Sequence, residues 1–185
     1  MMRLEIVRHV SASSTLSLTA GKQLTDASEA LRSELSGIDA GRGGGGGSVT
    51  ATADTFENRF ASMGWQFSRH RTSMGLEVAR EEDIYDTQRQ LDRERWLYDA
   101  SFGRQLGRSL SARLGASYTT EDFPNTNDET EETRFLAGLS WRLGRNVGLA
   151  LTGERLDRES TRGGGNSVEN RVFLTAFYRP AGGEE

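Results

Sequence analysis

The chain has no cysteine among its 185 residues, so neither a disulfide nor a thiolate metal site can hold it together. It also has no run of about 20 apolar residues, which a membrane-spanning helix requires, and its mean hydropathy is −0.62. With 22 glycines, long helices are disfavoured. Histidine is scarce, with only His9 and His70, and neither has a convincing nucleophile or carboxylate partner in the sequence. No HExxH, GxSxG or EF-hand spacing occurs. The glycine runs around 41–48 and 163–165 lack the Lys and Ser/Thr of a phosphate-cradling loop. A net charge of −4 gives no electrostatic argument for nucleic acid. Much of the acidic excess is local, at Glu121, Asp122, Asp128, Glu129, Glu131 and Glu132.

What the chain does have is strict alternation. Leu110, Ala112, Leu114, Ala116 and Tyr118 fall on one phase, and Ser111, Arg113, Gly115, Ser117 and Thr119 on the other. A period of two puts these sets on opposite faces of a β-strand, one suited to lipid and one to water. The apolar phase recurs as Leu16, Leu18, Ala20; Ala61, Met63, Trp65, Phe67; Met74, Leu76, Val78; and Trp96, Tyr98, Ala100, Phe102. It continues as Phe135, Ala137, Leu139, Trp141, Leu143, and then Val147, Leu149, Leu151. Lys and Glu would crowd the polar phase of a soluble sandwich, whereas here Gly and Ser are common.

Nine strands are expected, at roughly 3–10, 13–24, 57–70, 72–85, 93–105, 109–121, 131–143, 146–158 and 168–179. Short turns fall near 10–13, 68–71, 105–108 and 143–146, and longer connections near 25–56, 86–92, 122–130 and 159–167. Short turns at one end and longer polar loops at the other are the asymmetry of outer-membrane barrels, whose short turns face the periplasm. The fold class expected is therefore all-β, an antiparallel up-and-down transmembrane β-barrel over residues 1–180, with a long flexible loop at 25–56 and a disordered tail at 181–185. Within that loop, Leu31, Leu35 and Ile38 have roughly helical spacing, and the run from Gly41 to Ser48 reads as flexible chain. Nine strands would leave the amino terminus outside the cell, and Met1 to Arg8 has no apolar secretory core. The chain thus reads as the carboxy-terminal part of a larger barrel, or as a frame whose start is placed too far downstream. The alternatives are an open nine-stranded sheet, or a soluble all-β binding or scaffold module whose apolar stripes meet in a sandwich core.

Candidate functional residues are the charges on the polar phase: Glu77, Asp99, Arg113, Arg134, Arg142 and Glu154. Unpaired charges in a narrow barrel are costly unless water or partners meet them. They read either as an Arg/Glu ladder that stiffens the interior or as a polar channel wall in which Arg favours anionic solutes. Glu81, Glu82 and Asp83, near the outer end of a strand, read as a solvated loop base. Trp65 and Trp141 toward one end, and Trp96, Tyr98 and Tyr118 toward the other, are placed as two aromatic girdles. No catalytic, cofactor or metal role is expected of any residue.

Three stretches carry a family resemblance. They are Asp54-Thr55-Phe56-Glu57-Asn58-Arg59-Phe60-Ala61-Ser62-Met63-Gly64-Trp65, then Leu110-Ser111-Ala112-Arg113-Leu114-Gly115-Ala116-Ser117-Tyr118, and the ending Glu169-Asn170-Arg171-Val172-Phe173-Leu174-Thr175-Ala176-Phe177-Tyr178-Arg179. Together the chain resembles the later part of the putative β-barrel porin type 2 family, outer-membrane barrels of Gram-negative bacteria associated with exopolysaccharide and PEP-CTERM gene clusters. The resemblance implies an outer-membrane location, lipid as the surrounding partner, and a part in exopolysaccharide export with polysaccharide or export machinery as further partners. It carries over no functional residue.

Overall fold

The computed structural model describes residues 2–26, 55–144, 146–161 and 165–178. Nine antiparallel strands follow one another as a single meander: β1 Met2–Ser11, β2 Ser14–Asp26, β3 Thr55–Arg69, β4 Thr72–Tyr85, β5 Arg93–Gln105, β6 Leu110–Phe123, β7 Asp128–Arg142, β8 Val147–Ser160 and β9 Ser167–Tyr178. Each strand pairs with its sequence neighbours in the order β1 to β9, and the sheet is not closed, so β1 and β9 are its edges. The helically spaced Leu31, Leu35 and Ile38, the glycine run at 41–48 and the tail at 181–185 lie outside the described residues.

Register propagates the sequence alternation across the whole sheet. Leu16 stands opposite Trp65, Trp65 opposite Leu76, Leu76 opposite Ala100 and Ala100 opposite Ala116. The apolar phases of successive strands therefore merge into one continuous face. That face is bare: Leu76 and Leu114 are 53% and 55% exposed, and Phe56 is the one buried hydrophobic residue among those described. The soluble sandwich alternative fails here, because among the described residues no second sheet covers the apolar stripes. The buried polar residues Asn58, Asp83, Thr119 and Glu121 all lie on the polar phase, so side chains crowd on the face toward which the sheet curls.

The strands run longer than the apolar alternation. In β6 the apolar positions Leu110 to Tyr118 cover about 27 Å of strand, enough for the apolar band of an outer-membrane barrel once strand tilt is included. The strand then continues to Phe123. The loop expected at 122–130 is correspondingly shorter, because Asp122 pairs with Glu129 and Phe123 with Asp128. It closes through Asn127, whose φ of 55° is the left-handed conformation that Asn tolerates. At the opposite end the short turns are tight, with the Leu143 amide donating to the Val147 carbonyl at 3.0 Å. Ring contacts place the aromatics as expected on the outer face: Trp96 stacks on Tyr98 at 6.2 Å, and Tyr98 meets Tyr118 at 6.1 Å. The Trp65 indole donates to Ser14 Oγ at 2.8 Å near the short-turn end.

The two faces make opposite demands on one strand. Leu114→Arg places a charge within the apolar band and is expected to cost about 2–4 kcal/mol and to disrupt assembly, whereas Arg113→Ser on the neighbouring polar position is expected to be mild. Outer-membrane fractionation and the mobility of unheated samples on gels check this, and equal damage from both substitutions would count against the facing assigned here.

Candidate functional site on the inner face

The inner face divides along the strands into a small-residue half and a charged half. Toward the short turns, glycines let side chains from adjacent strands lie flat on the backbone. A Cβ at Gly148 would come within 2.1 Å of the Phe177 ring, and one at Gly138 within 3.1 Å of Arg113 Nε. Both glycines are thus covered by a neighbour's side chain, and Arg113 is laid along the wall.

Midway along the wall, four polar-phase residues form one row across β4 to β7. Glu77 is opposite Asp99, Asp99 opposite Ser117 and Ser117 opposite Arg134. Glu77 and Asp99 are both exposed, two like charges side by side, which is unfavourable unless water screens them. Arg134 Nη2 lies 2.5 Å from Glu154 Oε1, with the Glu154 side chain only 10% exposed. Of the six charges singled out by the alternation, the structure thus places Arg134 against Glu154 and sets Glu77 beside Asp99. Arg113 and Arg142 stand on rows nearer the short turns, Arg142 opposite Gly148.

The most buried polar constellation lies toward the long loops, and only part of it was legible beforehand. Asn58 Nδ2 donates to Glu81 Oε1 at 2.8 Å and to Asp83 Oδ1 at 2.7 Å. Asp83 in turn accepts from Arg93 Nη2 at 2.7 Å and from Arg93 Nε at 3.1 Å, a forked pair. Arg93 and Arg95 approach Glu121 at 3.7 and 3.6 Å. The cluster therefore stitches β3 to β6 by side chains. Asp83 is 3% exposed, which corrects the reading of Glu81 and Asp83 as a solvated loop base. Glu82 does face outward, 3.8 Å from Arg59. Above the cluster Phe56 stacks on Tyr85 at 4.9 Å. The connection from β4 to β5 is tied down where the Tyr85 amide donates to Asp92 Oδ1 at 2.8 Å and Asn125 Nδ2 to Asp92 Oδ2 at 2.9 Å. Asn58, Arg93, Arg95 and Glu121 had a signal in the sequence: each continues the polar phase by steps of two beyond the last apolar residue of its strand.

Among the described residues, no group of three or more His, Asp or Glu is placed to hold a metal ion. His9 Nδ1 lies 3.1 Å from Thr15 Oγ1, and His70 sits in a turn with a φ of 52°. Breaking the buried cluster from one side should be costly. Asp83→Ala strands Arg93 and Asn58 and is expected to cost about 3 kcal/mol, read as a lower urea midpoint for the detergent-folded protein. Glu82→Ala, in a half-exposed outer pair, is expected to cost under about 1 kcal/mol. Equal midpoints for the two variants would remove the stabilising role given to the cluster.

The comparisons with known proteins agree with this geometry. OmpT of Vibrio cholerae, an outer membrane protein, superimposes in its in-vitro folded trimer form with a TM-score of 0.66 at 12% identity, over 95% of this chain and 54% of that one. Outer-membrane expressed OmpT gives 0.64 at 11% identity, over 95% and 55%, and its loop L8 deletion mutant gives 0.64 at 10% identity, over 96% and 53%. These identities show a shared fold, and the chain spans about half the length of the structures it matches. None of the curated proteins matches it. The sequence profile of the "putative beta-barrel porin 2" family matches residues 58–179, most of β3 through β9. The chain belongs to that family, the β-barrel porins of the outer membrane.

Proposed function

We propose that the chain is the noncatalytic, porin-like wall of a water-filled path for small polar solutes. The observation that carries this reading is the inner row Glu77, Asp99, Ser117 and Arg134. Adjacent carboxylates hold their charge only where water reaches them; Gly64 continues their row on β3, and Gly75 and Gly115 in the next row keep the wall thin beside them. Arg134 is partly neutralised by Glu154. The charges left to a passing solute are then Glu77 and Asp99 on one side of the row and Arg113 and Arg142 toward the short turns, so selectivity is set by their balance.

A second reading, an accessory role in exopolysaccharide export, is favoured by the hydroxyls that recur on the same face. Ser73 and Ser101 flank Gly103 and Gly75, and Ser111 stands opposite Ser140. Such a wall offers hydrogen bonds to a hydroxyl-rich chain without gripping it by charge.

Planar-bilayer recording of the purified protein is expected to give stepwise conductance. The double substitution Glu77→Gln with Asp99→Asn should shift the reversal potential toward chloride, and Arg113→Ser should shift it toward potassium. A preparation that shows barrel mobility on unheated gels and yet carries no current would refute the pore. Liposome swelling with oligosaccharides of increasing length separates the readings: passage of long oligomers favours polysaccharide export, and a sharp cut-off at small sugars favours the general pore.

A further inference from the structure

The short-turn end of the inner wall holds a hollow of about 770 Å³ between β5 and β9. Register assembles it in two rows. Arg142 stands opposite Gly148 and Gly148 opposite Phe177. In the next row Gln105 stands opposite Ser111 and Ser111 opposite Ser140. Asn146, in the turn between β7 and β8, adds an amide at the rim. The Phe177 ring lies over the Gly148 backbone, where a Cβ would come within 2.1 Å of it. It leans toward β8 and away from the sheet edge, so its position does not depend on what borders β9. Phe177 is nevertheless 50% exposed, an open aromatic surface on a wall that otherwise meets water. Among the described residues no Asp or Glu lines the hollow. The charges that meet an incoming solute there are the guanidinium groups of Arg108 and Arg142, both exposed.

We propose that this hollow binds an anionic pyranose, a sugar ring carrying a carboxylate, at the short-turn mouth of the path. The inference rests on the pore reading above and names a solute class for it. One face of a pyranose is a patch of C–H bonds, whose slightly positive hydrogens pack on the negative face of an aromatic ring. Its rim is made of hydroxyls, which exchange hydrogen bonds with Ser111, Ser140, Gln105 and Asn146. Its carboxylate pairs with Arg142, whose planar fork fits two oxygens, and Arg108 beside the turn is the second cation. The backbones of β7 and β9 are about 10 Å apart, and the Phe177 ring fills the gap between them. A sugar lying on that ring therefore has Arg142 at its edge. A neutral sugar would leave the arginines to water, an aromatic acid would leave the hydroxyl row unused, and an open-chain acid has no flat face for the ring. Every contact is open to water, so the sugar is held weakly enough to leave, as passage requires.

Planar-bilayer recording of the full chain, with each probe added in turn to the open channel, tests this. Glucuronate is expected to reduce the current at about one-tenth the concentration that glucose requires, the scale of one charge-assisted hydrogen bond. It should also act at lower concentration than gluconate, which lacks the ring, or benzoate, which lacks the hydroxyls. Arg108→Gln with Arg142→Gln should erase the difference between glucuronate and glucose while the current persists. Phe177→Ala should weaken block by both pyranoses about fivefold. The open-channel current reads the pore, and its block reads the site. A steady current blocked equally by the four probes, or a glucuronate preference that survives the double substitution, overturns the site alone. Absence of current from a chain with barrel mobility on unheated gels overturns both. The two arginines are exposed, so their substitution tests the site in an assembled barrel even where Phe177→Ala does not fold.

Discussion

The backbone hydrogen bond, in a solvent that cannot replace it, is the constraint on which the rest of this structure depends. Inside a bilayer an unpaired amide or carbonyl costs several kcal/mol, so each strand has to be zipped along its length to a neighbour. The eight antiparallel ladders do this, with registers that run unbroken over most of each strand. The chain has no cysteine, and among the described residues only Phe56 is a buried apolar side chain, so at membrane level the ladder carries most of the cohesion. The side-chain pattern follows from the ladder: pairing fixes which residues share a face, and lipid on one side and water on the other fix what those residues are.

Where the strands rise beyond the apolar band, lipid no longer shields the ladder and water competes for it from both sides. There the structure changes its means of cohesion. Asn58, Asp83 and Arg93 join three strands by charge-assisted hydrogen bonds on the inner face, and Glu121 adds the fourth through an ion pair with Arg93 at 3.7 Å, at the level where the outer face turns polar with Lys22, Glu57, Arg59 and Arg80. Outer pairs such as Arg80 with Glu94 at 2.8 Å, with Arg80 also 5.6 Å from the Trp96 ring, contribute little individually because they are exposed. The inner pairs are shielded by the curl of the sheet, and in the most buried of them Arg93 donates through Nε and Nη2 to Asp83 Oδ2, a charge-assisted hydrogen bond of the stronger kind. The long-loop end is thus held by side chains where the membrane-level part is held by backbone and lipid.

The same division gives the inner wall its two characters. Near the short turns glycine and serine keep it low and hydroxyl-lined, while near the loops it is filled by a cluster of opposite charges. Glu77, Asp99 and Arg134 lie at the boundary between them, the level at which charge is still open to a solute. The outer wall has its own irregularity, a recess around Gly153, which arises because alanine and glycine happen to fall together once β5 to β8 are in register.

The sequence by itself determined the strands, their order of faces and the assignment of the six candidate charges to the polar phase, because a period of two is a local property that needs no knowledge of neighbours. It also placed the aromatics, since these alternate with the rest. It did not determine how far the strands extend: residues 122–130 read as loop because they lack apolar alternation, and only the pairing of Asp122 with Glu129 and of Phe123 with Asp128 shows both ends of that stretch to be strand. Nor did it show that Asp83 is buried, that Arg134 meets Glu154 or that Glu77 adjoins Asp99. Those facts depend on register between strands, which is set by turn length and cross-strand packing, and on the curl of the sheet, which brings one face together and spreads the other.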